Sequence, residues 1–276
     1  YGKTFSVQLN PRLENIYFQS GPTCNPSVPS TCLFSERLLN VFVDVPFGSV
    51  NTDGCPGSPN MPNQPTAPPW HVQIQNHDTA NGQPLPPGAV FASPTCLDRT
   101  GTTQFNGDGG LTDIFSLRQI ITDADASYPP GLAVGAQYDI SIDTPSGRQT
   151  IQTSLDTPEA NPSTDFVVIP NPSTPLLKPA GFTLAQAKLG QAQTISWTQP
   201  AFEVRELFIN PNVNTTTTGG GVFCSVQNNN DLDPSATQAT FTLPTTCQGQ
   251  AVLSASVCIF YTGVNGETSD ACWFWQ

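Results

Sequence analysis

SVCIFYTGVNGETSDACWFWQ, Ser256 to Gln276, ends the chain with a cysteine, two tryptophans and a phenylalanine in its last five residues, where chains usually fray. A hairpin centred on Asn265 sets Cys258 opposite Cys272, Val257 opposite Trp273, Ile259 opposite Ala271 and Ala255 opposite Trp275. Val257, Ile259, Trp273 and Trp275 then share one face, which contributes several kcal/mol if buried at about 25 cal/mol per Å². The two cysteines fall on the other face at a spacing that suits a cross-strand disulfide. The ending therefore reads as a packed, stapled strand whose aromatics belong to a core.

Working back from this hairpin, QTISWTQP, VRELFIN, GVFCSV and ATFTLP are short strands separated by turns, and they fill roughly the last 100 residues. This stretch, about Leu176 to Gln276, resembles a fibronectin type III domain. Trp197 in TISWTQP matches the buried second-strand tryptophan, and Tyr261 before GVNGETS matches the strand leading into the final hairpin. The resemblance implies a two-sheet sandwich; the cysteines depart from that family's usual pattern and leave an immunoglobulin-like topology open. With Cys258 and Cys272 joined, Cys224 pairs with Cys247, although four cysteines permit three connectivities.

The first 170 residues also read as β, with Pro/Gly-rich loops. KTFSVQLN puts Phe5, Val7 and Leu9 on one side of a half-buried strand. ENIYFQSG, Glu14 to Gly21, matches the E-x-x-Y-x-Q-S pattern of a plant-virus protease used to remove purification tags. Ile16 replaces the usual Leu and no His run precedes it, which favours native chain over an engineered scar. Cys24 and Cys32 close a short loop in GPTCNPSVPSTC. RLLNVFVDV alternates Leu39, Val41, Val43 and Val45 against an outer face on which Phe42 is the apolar exception. Cys55, in the Pro/Gly/Asn-rich excursion that follows, reaches Cys96. WHVQIQNH and GAVFASP read as strands, and DIFSLRQII reads as a strand although its spacing also suits a helix. QYDISIDTPSGRQTIQTSL is a hairpin turning at Thr-Pro-Ser-Gly. The aperiodic run NPSTP places a linker at 171–175. The expected fold is all-β: two β-sandwich domains, 1–170 and 176–276, stapled by disulfides.

Only 11% of the 276 residues are charged, and the net charge is −12, which disfavours nucleic acid and anionic lipid as partners. Eight cysteines without a C-x-x-C pair argue for disulfides made in an oxidising compartment, not for zinc or redox motifs. No apolar run reaches the length of a membrane span, and a start at Tyr1 without Met reads as a processed, secreted chain.

Chemistry is sparse. His71 and His77 are the two histidines and share a strand face with Gln73 and Gln75; six residues apart, they lie about 20 Å from each other along an extended strand, too far for one metal ion unless the strand bends sharply. FNGDGGLTD and TDADAS lack calcium-loop spacing, and turn formation explains both. No nucleophile elbow, zincin motif, phosphate loop or dinucleotide glycine pattern occurs, so no catalytic residue, metal ligand or cofactor is assigned. Asn214-Thr215-Thr216 is an N-glycosylation sequon, placed by its Thr/Gly neighbours in a loop.

These features point to an extracellular structural protein, a subunit of a cell-surface filament or assembly. In that reading Phe5, Val7 and Leu9 insert into the next subunit as a donor strand. Pairing of the strand within its own domain is the competing arrangement. A second class is a carbohydrate- or protein-binding module, for which an exposed aromatic row is the discriminating feature and Trp70 the candidate. A third is a hydrolase with a site in the first domain, which requires convergent carboxylates or a histidine with a partner.

Overall fold

The computed structural model of the chain describes residues 5–17, 33–50, 55, 68–104, 111–121, 132–162, 164–167, 188–216, 221–226 and 231–275. The fold is all-β. One helix, a single turn of four residues, occurs among the described residues, and no helix there is long and apolar enough to cross a membrane.

The chain forms two compact units, and they are not consecutive in sequence. The first takes Tyr1–Pro11 and Leu38–Glu159, the second Arg12–Arg37 and Ala160–Gln276. This differs from a simple division into 1–170 and 176–276, because strand β1 (Ser6–Tyr17) and strand β2 (Leu33–Pro46) each contribute to both units. The expected linker at 171–175 lies outside the described residues.

In the first unit, β1 and β2 belong to a sheet continued by β6 (Leu111–Ile121) and β5 (Asp98–Gln104). The second sheet runs in the order β4 (Thr95–Cys96), β3 (Val72–Asn76), β7 (Gln137–Thr144), β8 (Gly147–Ser154). Alternation decides which side chains go inward. Val41, Val43 and Val45 of β2, Phe115 of β6, Ile74 of β3 and Ile140 and Ile142 of β7 are buried together in one core. Phe42, on the opposite face of β2, is 37% exposed. The β7–β8 hairpin turns at Pro145-Ser146 with Thr144 facing Gly147, whose φ of +114° is a conformation that favours glycine.

GAVFASP is not a strand. Gly88 and Phe91 both have positive φ, which breaks the extended run, yet Ala89, Val90 and Phe91 are buried and the Phe91 carbonyl accepts from the Asn76 amide. Asn76 is also where the WHVQIQNH strand stops. Its Oδ1 accepts from the amides of Asp78 and Thr79, so it caps the short helix α1 (His77–Ala80).

In the second unit the main sheet is ordered β11 (Phe223–Ser225), β10 (Val204–Asn214), β16 (Ser254–Gly263), β17 (Thr268–Trp275), then β1, with β12 (Asp231–Leu232) also on β10. The β16–β17 register sets Ala255, Val257, Cys258 and Ile259 against Trp275, Trp273, Cys272 and Ala271, the pairs read from the sequence. Its inner face shares a core with Ile195 of β9 (Ala192–Ser196), the adjacent Trp197 and Phe241 of β13 (Gln238–Thr242). A small ladder of β14 (Thr246–Cys247) and β15 (Gln250–Ala251) adds Cys247. Val257, Ile259 and Trp273 are completely buried.

The stretch Glu14 to Tyr17 is integrated into this sheet. It runs parallel to β17, with Glu14 facing Asp270 and Tyr17 facing Trp273. Asn15 is buried, donating to the Val167 carbonyl at 2.7 Å and accepting from the Ser35 hydroxyl at 2.5 Å.

Candidate functional site

Three disulfides are present among the described residues: Cys55–Cys96, Cys224–Cys247 and Cys258–Cys272. Each joins two cysteines expected to pair from the sequence, Cys224 and Cys247 being the two left once Cys258 and Cys272 are joined. Cys55–Cys96 joins Cys55 to β4, and the Cys55 amide donates to Asp98 Oδ1 at 2.6 Å. Cys258–Cys272 crosses adjacent strands on the outer face of the β16–β17 pair, opposite the Val257 and Trp273 side. Cys24 and Cys32 lie outside the described residues. Such bridges fit formation in an oxidising compartment.

Outward-facing residues of the second unit's sheet form an aromatic group. Phe208 of β10 and Phe260 of β16 are cross-strand partners, with ring centroids 4.5 Å apart and planes at 12°. Phe208 is 37% exposed. Arg12 of β1 lies over the Phe260 ring, 5.1 Å from its centroid, and pairs with Asp270 of β17. Burial works against the Arg12 charge, but the hydrogen bond and negative charge of Asp270, with a smaller effect of Glu14, hold its pKa above the ordinary value. The result is a column of Arg12, Phe260 and Phe208, with the Cys258–Cys272 row beside it. Sequence reading missed this column because Phe208 and Arg12 are brought together only by sheet order.

Phe5, Val7 and Leu9 stay within their own unit. Leu9 is 6% exposed in the first unit's core, and Phe5 and Val7 pack against that core. Trp70 is half-buried: its amide donates to Gln73 Oε1 at 2.9 Å and its carbonyl accepts from Arg148. An exposed aromatic row is therefore not built on Trp70.

The histidines each face a carboxylate. His71 Nδ1 is 3.1 Å from Asp143 Oδ2, and His77 Nδ1 is 2.9 Å from Asp139 Oδ1. Arg148 Nε donates to the other oxygen of Asp143 at 2.6 Å. Its hydrogen bond is the main cause that pulls the Asp143 carboxyl below the usual range, against burial and helped by the charges of Arg148 and His71. His77 stands on α1 and not on β3, so it does not share a strand face with His71. Among the described residues no serine, threonine or cysteine hydrogen-bonds to either ring, and no group of three or more potential metal ligands occurs.

Asn214 is the last residue of β10, not a loop residue, and pairs with Phe223 on one side and Ser254 on the other. The Thr215-Thr216 pair turns the chain away, with the Thr216 amide donating to Asn214 Oδ1 at 3.0 Å.

The chain is thus of the class of disulfide-bonded, all-β proteins. No protein-family model matches it, and no match among curated proteins was found.

Proposed function

We propose that this is a non-catalytic extracellular structural protein, a subunit of a cell-surface assembly that binds further copies of itself or other surface proteins. The observation that carries the proposal is the Phe208–Phe260 stack: an aromatic surface held by a sheet whose neighbouring row is covalently bridged. Aromatic anchors on a rigid element lose little conformational freedom on contact and supply a large share of interface energy. Three disulfides support an extracellular setting. In this reading the two units are β-sandwiches, the second of fibronectin type III-like kind, with Trp197 and Tyr261 sharing its core.

The packing of Leu9 in its own unit favours assembly through faces over exchange of β1, because an exchanged strand must first vacate a filled core position. Mass photometry and negative-stain electron microscopy of the intact chain, Phe208→Ser and a chain lacking residues 1–10 test this. Oligomers lost in Phe208→Ser support the face contact, and oligomers lost only on truncation support strand exchange. An intact chain that stays monomeric at micromolar concentration, with no surface-protein partner, overturns the proposal.

A glycan-binding reading draws on a narrower feature, Asn210 beside Phe208 on the same outer face, which sets an amide next to an exposed ring. Binding on a glycan array that Phe208→Ser removes would favour it. The hydrolase reading draws on His71–Asp143 and His77–Asp139 alone.

A further inference from the structure

We propose that Asn214 is a site of N-linked glycosylation and that its first sugar ring rests on Phe223. The chain has four Asn-x-Ser/Thr triplets, but those at Asn25, Asn161 and Asn171 carry proline in the middle, which leaves Asn214-Thr215-Thr216. Local geometry divides the Asn214 amide between two tasks. Its Oδ1 accepts from the Thr216 amide at 3.0 Å and lies 3.3 Å from the Thr216 hydroxyl, whereas Nδ2 makes no hydrogen bond among the described residues. The nitrogen is the atom that becomes substituted.

Phe223 supplies the second observation. It is directly opposite Asn214 across the β10–β11 ladder, so both side chains leave the same face at neighbouring positions. It is 59% exposed, an apolar ring with no function in the core. A sugar on Asn214 Nδ2 reaches this ring with its apolar C–H face. Phe208 is six residues away along β10, about 20 Å, so this site and the proposed contact column are separate.

The reaction needs a polyprenyl-diphosphate-linked oligosaccharide as co-substrate. The Asn214 Nδ2 to sugar C1 bond forms, the C1 to phosphate oxygen bond breaks, the lipid diphosphate leaves, and the amide nitrogen gives up one proton. Extracellular export is the one element this inference shares with the proposed function; it does not depend on assembly.

The test is expression of the full chain with a eukaryotic secretion signal, followed by intact mass and peptide mapping of the medium and, for retained protein, of the microsomal fraction. The wild type and Thr216→Ser are expected to carry a glycan that amidase treatment removes, leaving Asp at 214; Thr216→Ala is expected at the bare polypeptide mass. Wild-type chain at the bare mass in both fractions overturns the site, whatever its state of assembly. For the contact, glycosylated wild type is expected to have a Tm about 2 °C above its amidase-treated form, and Phe223→Ser is expected to abolish that difference while keeping the glycan. An equal difference in both backgrounds overturns the Phe223 contact.

Discussion

The indole Nε1 of Trp197 donates to the phenol oxygen of Tyr261 at 2.5 Å, and that phenol in turn reaches the Ala236 carbonyl at 3.2 Å. Burial is the leading cause that pushes the Tyr261 phenol up, against the hydrogen bonds from Trp197 and Gln199. The hydroxyl therefore stays protonated well above neutral pH and serves as a relay between a donor and an acceptor inside the core. Tyr261→Phe removes the acceptor and leaves the indole N–H buried among apolar groups. A loss of about 1–3 kcal/mol is expected, read as a shift of the urea midpoint at unchanged m-value.

Arg12 and Asp270 make a second polar contact, buried at its Asp270 end and partly exposed at Arg12, which joins the amino-terminal strand to the carboxyl-terminal one. Asp270 is almost wholly buried, so Arg12→Met takes away the cation that faces it and should destabilise by about 3–5 kcal/mol. Combining it with Asp270→Asn removes the buried charge as well and should recover part of that loss. The double-mutant cycle in urea gives the coupling; additivity of the two single effects would show that the pair contributes nothing of its own.

That contact also marks the limit of what sequence shows here. The β16–β17 register was legible because a tight turn near Asn265 fixes it and Val257, Ile259 and Trp273 alternate cleanly with the cysteines. Leu39 to Val45, the Pro145-Ser146 turn and the Cys258–Cys272 pair followed from equally local patterns, whereas Cys224–Cys247 was what remained once that pair was joined. The parallel pairing of Glu14–Tyr17 with β17 did not, because no turn connects partners more than 250 residues apart and periodicity does not name a neighbour. The placing of Arg12 over Phe260 depends on that pairing and the Phe208–Phe260 stack on the β10–β16 pairing, neither of which a tight turn fixes. His77 was misplaced on a strand because the cap supplied by Asn76 outweighs one more residue of alternation.

Removing the Cys258–Cys272 bridge separates stapling from packing. The bridge encloses a short hairpin, and closing a loop of about 15 residues stabilises by about 3 kcal/mol in the chain-entropy account. The inner face of the hairpin, with Val257, Ile259 and Trp273, does not involve the sulfurs. Cys258→Ala with Cys272→Ala is therefore expected to lower stability by about that amount while the near-ultraviolet circular dichroism of the buried tryptophans persists. Loss of that signal under native conditions would mean that the bridge, and not the aromatic packing, sets the register.

Asp143 gives the fold an acid-sensitive contact on the polar face of β7. Arg148 holds its carboxyl below the ordinary value of about 3.9, so the folded state binds that proton less readily than the unfolded chain does. The sign follows: the contribution is complete above the unfolded pKa and disappears as pH falls through the depressed folded value. Both partners are partly exposed, and solvent screens the pair, so the effect is a gentle slope and not a cliff. Asp143→Asn removes the titrating group while retaining an acceptor for Arg148 and a neighbour for His71. Between pH 5 and pH 2.5 the Tm of wild type should fall more steeply than that of Asp143→Asn, with the two curves converging at the acid end. Parallel curves over this range would show that neither Arg148 nor His71 holds the Asp143 carboxylate in solution.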